Sequence, residues 1–291
     1  MKRSTMRRTF ALCALSIAAH FSAARLANAA QPSACEPIAN AAPLLYPGAF
    51  VLLGEMHGSQ ESPRFTADLI CAAATRASVI LGLEIPRDEQ ARIDGYLASH
   101  GTADDRSRVL AGAFWTRPMQ DGRSSEAMFG LIERMRDLRA QGRDIRIVAL
   151  DRATGDPTDR DKVMAARLRE AKIAVPKAIV IALTGNLHNS LAPEGASAPM
   201  GARLRNLMPT ALTVSYTSGR IWACMPDCGM HAIDGSKKSA AAWSIELEPA
   251  SIGDRRWNGI FHVGALHASQ PAVADPHAPP PNAETGAMPI Y

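Results

Sequence analysis

Short runs of apolar residues alternate with longer amphipathic segments along the middle of the chain. The runs are rich in Val, Ile and Leu and carry almost no charge, which is typical of strands covered on both faces. The amphipathic segments repeat apolar residues every three or four positions, as helices do. This alternation predicts an α/β fold with a central, mostly parallel sheet and helices on both faces. The predicted strands are Phe50–Gly54, Ser78–Leu83, Ile145–Leu150, Ala178–Leu183 and Ala211–Tyr216.

Local signals place helices between these strands. Ser62 followed by Pro63 is typical of a helix start, because proline is well tolerated in the first turn. The pair Gln141-Gly142 is typical of a helix end, and Thr158 with Asp161 resembles a capping box. The helix before Gln141-Gly142 would bury one apolar face, formed by Met128, Leu131, Ile132, Met135 and Leu138.

The last part of the chain carries weaker patterns. Ile221–Cys224, Trp243–Leu247 and Ile260–Val263 are predicted as extra C-terminal strands, for which both the parallel and the antiparallel direction stay open. Residues 268–291 are rich in alanine and proline and predict a flexible tail, because such a segment buries too little apolar surface to order itself. We therefore expect a single α/β domain over residues 30–267.

The first 29 residues have the pattern of a signal peptide. Basic residues between Lys2 and Arg8 precede an apolar run from Phe10 to Ala19, and Ala27-Asn28-Ala29 matches the small-x-small pattern of a cleavage site. The apolar run is too short to span a membrane. We expect a mature protein that is periplasmic or secreted and has no membrane span.

Charge and composition argue against a nucleic-acid partner. The whole chain has 32 Lys and Arg and 28 Asp and Glu, a formal net charge of +4. Residues 1–29 hold five of the basic residues and no acidic one, so the mature protein has 27 basic against 28 acidic residues and a charge near −1. A nucleic-acid-binding surface needs a basic stripe or a recognition motif, and neither is visible.

Four cysteines remain after removal of the predicted signal peptide, an even number that predicts disulfides in an oxidising compartment. A Pro-Asp pair typical of a turn separates Cys224 from Cys228, so these two are expected to pair. Cys35 and Cys71 then pair with each other. A zinc site formed by Cys224 and Cys228 with His231 is the alternative.

Ionisable side chains follow four consecutive predicted strands, at the point where each strand ends. In a parallel sheet these ends open on the same crevice, where ligands bind. One polar residue at a strand end has a simple explanation, because the chain leaves the core there; four in succession favour a site. They occur in Gly54-Glu55-Met56-His57-Gly58, Gly82-Leu83-Glu84, Leu150-Asp151-Arg152 and Gly185-Asn186-Leu187-His188.

Two of these segments, Gly54-Glu55-Met56-His57 and Gly185-Asn186-Leu187-His188, resemble the paired Gly-x-x-His motifs of one superfamily. It joins the ChaN-like haem-binding uptake proteins, the Tiki/TraB proteases and the erythromycin esterases. Leu81-Gly82-Leu83-Glu84, with Gln90 and Gly95-Tyr96-Leu97, is similar to the ChaN-like branch, and Arg160-Asp161-x-x-Met164-Ala165 is similar to a helix of the esterase branch.

The resemblance spans roughly residues 48–220. It implies an α/β sheet with a crevice at the strand ends. The activities in this superfamily differ: some members bind haem, some cleave peptides with a divalent metal, and some open macrolide esters. The fold alone therefore does not select the activity.

The hydrolase hypothesis uses all the convergent groups to cleave an ester, lactone or peptide bond of a small-molecule or peptide substrate. His57 is predicted as the general base that activates water, with Glu55 and Glu84 as orienting or metal-binding carboxylates. His188 is predicted as a second base or as a donor that stabilises an oxyanion. The sequence has no Gly-x-Ser-x-Gly elbow, which argues against a serine nucleophile.

The candidates for substrate binding are Arg123, Asp151, Arg160 and Asn186. The segment Asp121-Gly122-Arg123-Ser124-Ser125 is either a serine-capped helix start or a crevice loop in which Arg123 reads a carboxylate or phosphate. Asp151 is predicted to position Arg152 or a histidine.

A divalent metal is compatible with the same residues. His57, Glu84 and His188 would suit Zn²⁺ or Mn²⁺ with an open coordination position. The sequence has no His-Glu-x-x-His segment, so the metal is optional. A module that binds a metal or a small ligand without catalysis is a further hypothesis.

Haem binding is an alternative of a different class. It requires an exposed apolar surface for the porphyrin and an axial Tyr or His. Trp115 and Met119 are the candidates for such a surface, and Tyr96 on an amphipathic helix is expected to pack in the core.

Overall fold

The computed structural model describes residues 35–193, 198–236, 241–248 and 256–274. The predicted signal peptide and residues 275–291 of the predicted tail lie outside the described residues. Residues 269 and 272 of that tail are bound to the sheet domain, because Ser269 N donates to Gly58 O and Ala272 N donates to Ser124 O. Within the described ranges, no helix has the length and apolar character needed to cross a membrane.

In the described residues, eight strands form one sheet. The strands are β1 (Phe50–Glu55), β2 (Val79–Pro86), β3 (Ile145–Asp151), β4 (Ile179–Gly185), β5 (Thr210–Cys224), β6 (Cys228–Asp234), β7 (Ser244–Leu247) and β8 (Gly259–Leu266). The α-helices are α1 (Glu61–Ala73), α2 (Gln90–Leu97), α3 (Ala103–Leu110), α4 (Ala113–Thr116), α5 (Glu126–Ala140), α6 (Arg160–Ala174) and α7 (Met200–Arg203).

The strand order is β3-β2-β4-β1-β5-β8-β7, and β6 pairs with the outer part of β5. All pairings from β3 to β8 along this path are parallel. β6 runs antiparallel to β5, and β7 runs antiparallel to β8. The predicted α/β class with a mostly parallel sheet is confirmed, and so are antiparallel strands near the C-terminus.

The sheet is covered on both faces, which explains the continuous apolar runs in the sequence. Val51 and Leu53 of β1 belong to a core cluster that also contains side chains of α1 and α5. Phe50 and Leu52 point to the opposite face and pack in a second cluster with Leu168 of α6. Because successive residues of a strand alternate between faces, every position of such a strand has to be apolar.

The C-terminal strands were predicted less well. The segments predicted as separate strands, Ala211–Tyr216 and Ile221–Cys224, are parts of one strand, β5. Gly219 lies between the two segments and has a φ of +145°. The pairing of β5 with β8 shifts its register near this residue. A Ser-Gly-Arg sequence that is typical of a turn therefore forms an irregularity within a strand. β6 was not predicted.

Two of the predicted helix starts are shifted. α1 begins at Glu61, so Ser62 and Pro63 lie inside its first turn and Ser62 is not the cap. The N-cap of α6 is Asp159, which accepts a hydrogen bond from Lys162 N, and the predicted Thr158 capping box is wrong by one residue. A serine cap is confirmed for α5, where the Ser125 hydroxyl accepts from a backbone N–H in the first turn.

Both predicted disulfides are present. Cys35 is bonded to Cys71 in α1, and Cys224 is bonded to Cys228 across the β5–β6 hairpin. The alternative zinc site is therefore wrong, because a cysteine in a disulfide has no thiolate to offer to a metal.

β3 lies at one edge of the sheet, and side chains occupy the hydrogen-bonding groups along that edge. The Gln90 amide donates to Ile147 O at 2.9 Å and accepts from Ala149 N at 2.8 Å, as a neighbouring strand would. Arg139 donates to Ile145 O and Arg167 donates to Ala149 O, each at 2.6 Å. An edge strand normally leaves such groups to solvent or to another chain.

Candidate active site

The sheet order brings the predicted site residues to one end of the sheet. β3, β2, β4 and β1 are neighbours and run parallel, so their C-terminal ends lie side by side. β1 ends at Glu55, β2 contains Glu84 near its end, β3 ends at Asp151 and β4 ends at Gly185. The three carboxylates are all buried.

Glu55 and His57 form the first carboxylate–histidine pair. His57 Nδ1 lies 2.9 Å from Glu55 Oε1, which accepts the Nδ1–H. His57 Nε2 points the other way, 3.3 Å from Glu84 Oε2. The imidazole therefore bridges two carboxylates.

This position fixes the charge of His57. Burial alone would lower the pKa of His57, but the carboxylates of Glu84 and Glu55 outweigh burial and raise the pKa to about 10. An imidazole with this pKa is protonated at neutral pH. The role of His57 as a general base stays a prediction, and a protonated imidazole is better suited to donate a proton than to accept one.

Glu84 lies at the centre of the site and is 3% exposed. Its Oε2 also accepts from Gly185 N at 2.8 Å. Burial raises the pKa of Glu84, but the neighbouring cationic side chains, led by His57, hold it well below the usual value of a glutamic acid. Glu84 is therefore ionised at neutral pH.

His188 and Asp161 form the second pair. His188 Nδ1 lies 2.8 Å from Asp161 Oδ1, and its Nε2 faces Glu84 Oε1 at 3.8 Å. Asp161 Oδ1 also accepts from Met200 N at 2.7 Å, which fixes the carboxylate. The sequence had suggested Asp161 only as a helix cap. Its position beside Arg160, in the segment similar to the esterase branch, was the signal that could have identified it.

Arg160 and Arg123 surround Glu84 and Asp151 with positive charge. Arg160 Nη2 donates to Glu84 Oε1 at 2.6 Å and to Asp151 Oδ2 at 2.7 Å. Arg123 Nη1 lies 3.4 Å from Glu84 Oε1 and 3.3 Å from Asp151 Oδ2. Asp151 thus holds the two arginines; its contact with Arg152 is only to the backbone N–H, so the predicted positioning of the Arg152 side chain is wrong.

A further acid, which the sequence had not assigned, orients Arg123. Asp121 receives hydrogen bonds from Arg123 Nε and Nη2, the latter at 2.7 Å, and one from Arg117 Nη2 at 2.7 Å. Burial raises the pKa of Asp121, but these contacts lower it to about 2. The segment caps α5 through Ser125 and carries Arg123 to the strand ends, whereas the reading of a substrate anion by Arg123 stays a prediction.

Glycines allow these groups to approach one another. A Cβ on Gly185 would lie 2.8 Å from His57 Nε2 and 3.5 Å from His188 Cδ2, so both imidazoles lie close to this residue. A Cβ on Gly54 would lie 2.3 Å from Asn186 Oδ1. That amide oxygen is buried and accepts no hydrogen bond among the described residues, while Asn186 N donates to Glu55 O.

The residues present do not fit a divalent metal. The guanidinium groups of Arg160 and Arg123 already lie next to Glu84 and would repel a second cation there. Both ring nitrogens of His57 already face carboxylates, Nδ1 at 2.9 Å from Glu55 and Nε2 at 3.3 Å from Glu84, so a metal ion on this imidazole would have to displace one of these contacts. In the part of the chain that the structure describes, no three His, Cys, Asp or Glu side chains form a group that could hold a metal ion.

The residues considered for haem are not placed to bind it. Trp115 is fully buried and packs against Phe129, so it forms no exposed surface with Met119. Tyr96 is buried, and its hydroxyl lies 3.1 Å from Glu133 Oε1. Tyr96 packs in the core as expected.

No protein-family model and no curated protein matches the sequence. Solved structures share the fold. A histidine-to-asparagine mutant of the erythromycin esterase EreC in its open conformation has a TM-score of 0.56 at 13% identity, over 78% of this chain and 93% of that chain. A succinoglycan biosynthesis protein has a TM-score of 0.53 at 10% identity, over 76% and 89%. A Bacillus cereus protein has a TM-score of 0.53 at 12% identity, over 79% and 92%.

At these identities the similarity concerns the fold alone. It agrees with the α/β sheet that the resemblance implied and selects no superfamily, branch or activity.

Proposed function

We propose that this chain is a metal-independent hydrolase of ester, lactone or peptide bonds. The observation that supports the proposal is a pair of carboxylate–histidine couples, Glu55–His57 and Asp161–His188, whose Nε2 atoms both face the buried Glu84. Hydrolysis needs one group that accepts a proton from water and one that donates a proton to the leaving group. Two imidazoles in different electrostatic settings suit these two tasks.

His188 is the proposed general base. Asp161 accepts the Nδ1 proton of His188, so Nε2 is the ring nitrogen that can face a water molecule. That nitrogen makes no closer contact to Glu84 than 3.8 Å. It would take a proton from a water molecule as the water oxygen attacks the carbonyl carbon of the substrate.

His57 is the proposed proton donor. Held as an imidazolium by Glu55 and Glu84, it would stabilise the oxyanion of the tetrahedral intermediate. Its proton would then pass to the leaving oxygen or nitrogen as the acyl bond breaks. The proton that His188 took from water returns to His57 through the solvent, which restores both imidazoles.

Arg123, Asp151 and Arg160 would mainly hold Glu84 in place and ionised, since most of their hydrogen bonds go to one another and to carboxylates. Their substrate-binding roles, and that of Asn186, remain predictions. Export to the periplasm or the cell exterior is part of the proposal, because both disulfides call for an oxidising compartment.

The test is a panel of chromogenic esters, lactones and peptides, assayed with purified protein in the presence and absence of a strong chelator. We expect turnover that the chelator does not reduce and that His57→Gln and His188→Gln abolish. His100→Gln is the matched control, because His100 is exposed and lies outside the site. Loss of activity on chelation would refute the metal-free mechanism.

A haem titration followed by absorbance completes the experiment. Saturable haem binding with no turnover on any substrate would replace the hydrolase proposal with haem carriage. Binding of a small ligand without turnover would favour a non-catalytic module.

A further inference from the structure

The β5–β6 hairpin contacts the loop that carries His57. Trp222 N in β5 donates to Gly58 O at 3.0 Å. Gly58 has a φ of +78°, and a Cβ on it would lie 2.0 Å from Trp222 O, so the two backbones touch. Ser269 N donates to the same carbonyl at 2.8 Å. The residue after His57 is thus fixed between β5 and the segment that follows β8.

The same tryptophan contacts the segment that leads to Arg123. Trp222 Nε1 donates to Gln120 O at 2.9 Å, and the residue is 4% exposed. A Cβ on Gly122 would lie 2.0 Å from Gly58 N and 2.5 Å from the His57 carbonyl carbon. The backbone of β5 is therefore in direct contact with the loop that carries His57. That loop is also in direct contact with the loop that carries Arg123.

The disulfide Cys224–Cys228 lies two residues beyond Trp222. Cys224 and Cys228 are opposite each other at the end of the β5–β6 ladder, next to the turn that connects the strands. β6 pairs with β5 and with no other strand among the described residues. A two-stranded ribbon is marginally stable without further support, so the covalent link keeps this end of β5 in register.

We infer that Trp222 is a positioning residue for His57 and Arg123, and that the Cys224–Cys228 disulfide maintains it. This inference rests on the proposed function for its effect on turnover. Its effect on the imidazole itself does not depend on turnover. Small displacements of a catalytic group are costly to rate, and His57 depends on its distances to Glu55 and Glu84.

Two variants test the inference. Trp222→Phe keeps a buried ring and removes the N–H that binds Gln120 O. Cys224→Ser combined with Cys228→Ser opens the hairpin. The matched control is Cys35→Ser combined with Cys71→Ser, which removes the disulfide between the N-terminal segment and α1.

The first measurement is the pKa of His57. It is obtained by NMR titration of the imidazole, which needs no substrate. The second is kcat and KM on a substrate found in the panel. In both test variants we expect His57 to titrate at a lower pH than in wild type. We also expect kcat to fall by about fivefold to tenfold, which is the effect on rate of losing the free energy of one hydrogen bond. KM should change less than kcat.

Two results would overturn the inference. One is a His57 titration and a kcat that stay at wild-type values in both test variants. The other is an equal loss in the Cys35/Cys71 control, which would mean that general destabilisation is the cause. If wild type turns over no substrate, the proposed function fails, and the NMR readout still decides the positioning role.

Discussion

The charge on His57 is the property of the site that can be measured most directly. Glu84→Gln removes a negative charge whose oxygen lies 3.3 Å from His57 Nε2 and preserves the shape of the side chain. At an effective dielectric constant near 20, two unit charges at this distance interact by roughly 5 kcal/mol. Glu55 remains, so we expect the pKa of His57 to fall well below its wild-type value of about 10.

NMR titration of the imidazole is the assay. Wild-type His57 should stay protonated from pH 6 to about pH 9, whereas the variant should titrate within that range. Glu133→Gln is the matched control, because Glu133 pairs with Arg106 and Tyr96 away from the site. A wild-type His57 that titrates near 6.5 would refute the electrostatic argument.

The same shift has a consequence for stability. The pKa of His57 is higher in the folded protein than in the unfolded chain, so protonation of His57 stabilises the folded state. This contribution is fully present below about pH 6.5 and is lost as the pH rises towards 10. Denaturant unfolding of wild type and His57→Gln across pH 6–10 should therefore give free energies whose difference changes with pH. A difference that is constant would contradict the assigned pKa.

Three further outcomes follow from the contacts. Gly185→Ala places a methyl group 2.8 Å from His57 Nε2, and we expect kcat to fall about 100-fold with little change in overall secondary structure by circular dichroism. Asp161→Asn removes the carboxylate that fixes the tautomer of His188, and we expect kcat to fall by about 100-fold or more; an unchanged pH–rate profile would contradict the assigned base. Phe65→Ala removes a fully buried ring that packs on Phe261, and we expect denaturant unfolding to report a loss of about 3–5 kcal/mol.

The parallel core of the fold was readable from the sequence because its strands are buried on both faces. β1 and β4 are apolar at nearly every position, and such runs have few competing interpretations. β5 and β6 mix buried, half-buried and exposed positions, and Gly219 interrupts β5. Their pairing depends on contacts with β8 and on the disulfide, which a local pattern does not contain.

The sequence predicted where the site residues lie more accurately than it predicted which of them are protonated. The parallel strand ends indicated that Glu55, His57, Glu84 and His188 would be neighbours, and the structure brings them together. The sequence could not indicate that His57 is charged, because its pKa depends on distances of a few ångströms to carboxylates. It also missed Asp161, whose first-turn position in α6 is equally typical of a cap.

The side chains along the β3 edge bear on how copies of this protein behave when crowded together. Gln90, Arg139 and Arg167 use the backbone groups that an incoming strand would need. A second molecule could extend the sheet there only by first displacing four half-buried hydrogen bonds. Replacing Gln90 with an apolar residue would free Ile147 O and Ala149 N to pair with a strand of another molecule. We therefore expect Gln90 to limit edge-to-edge association at high concentration.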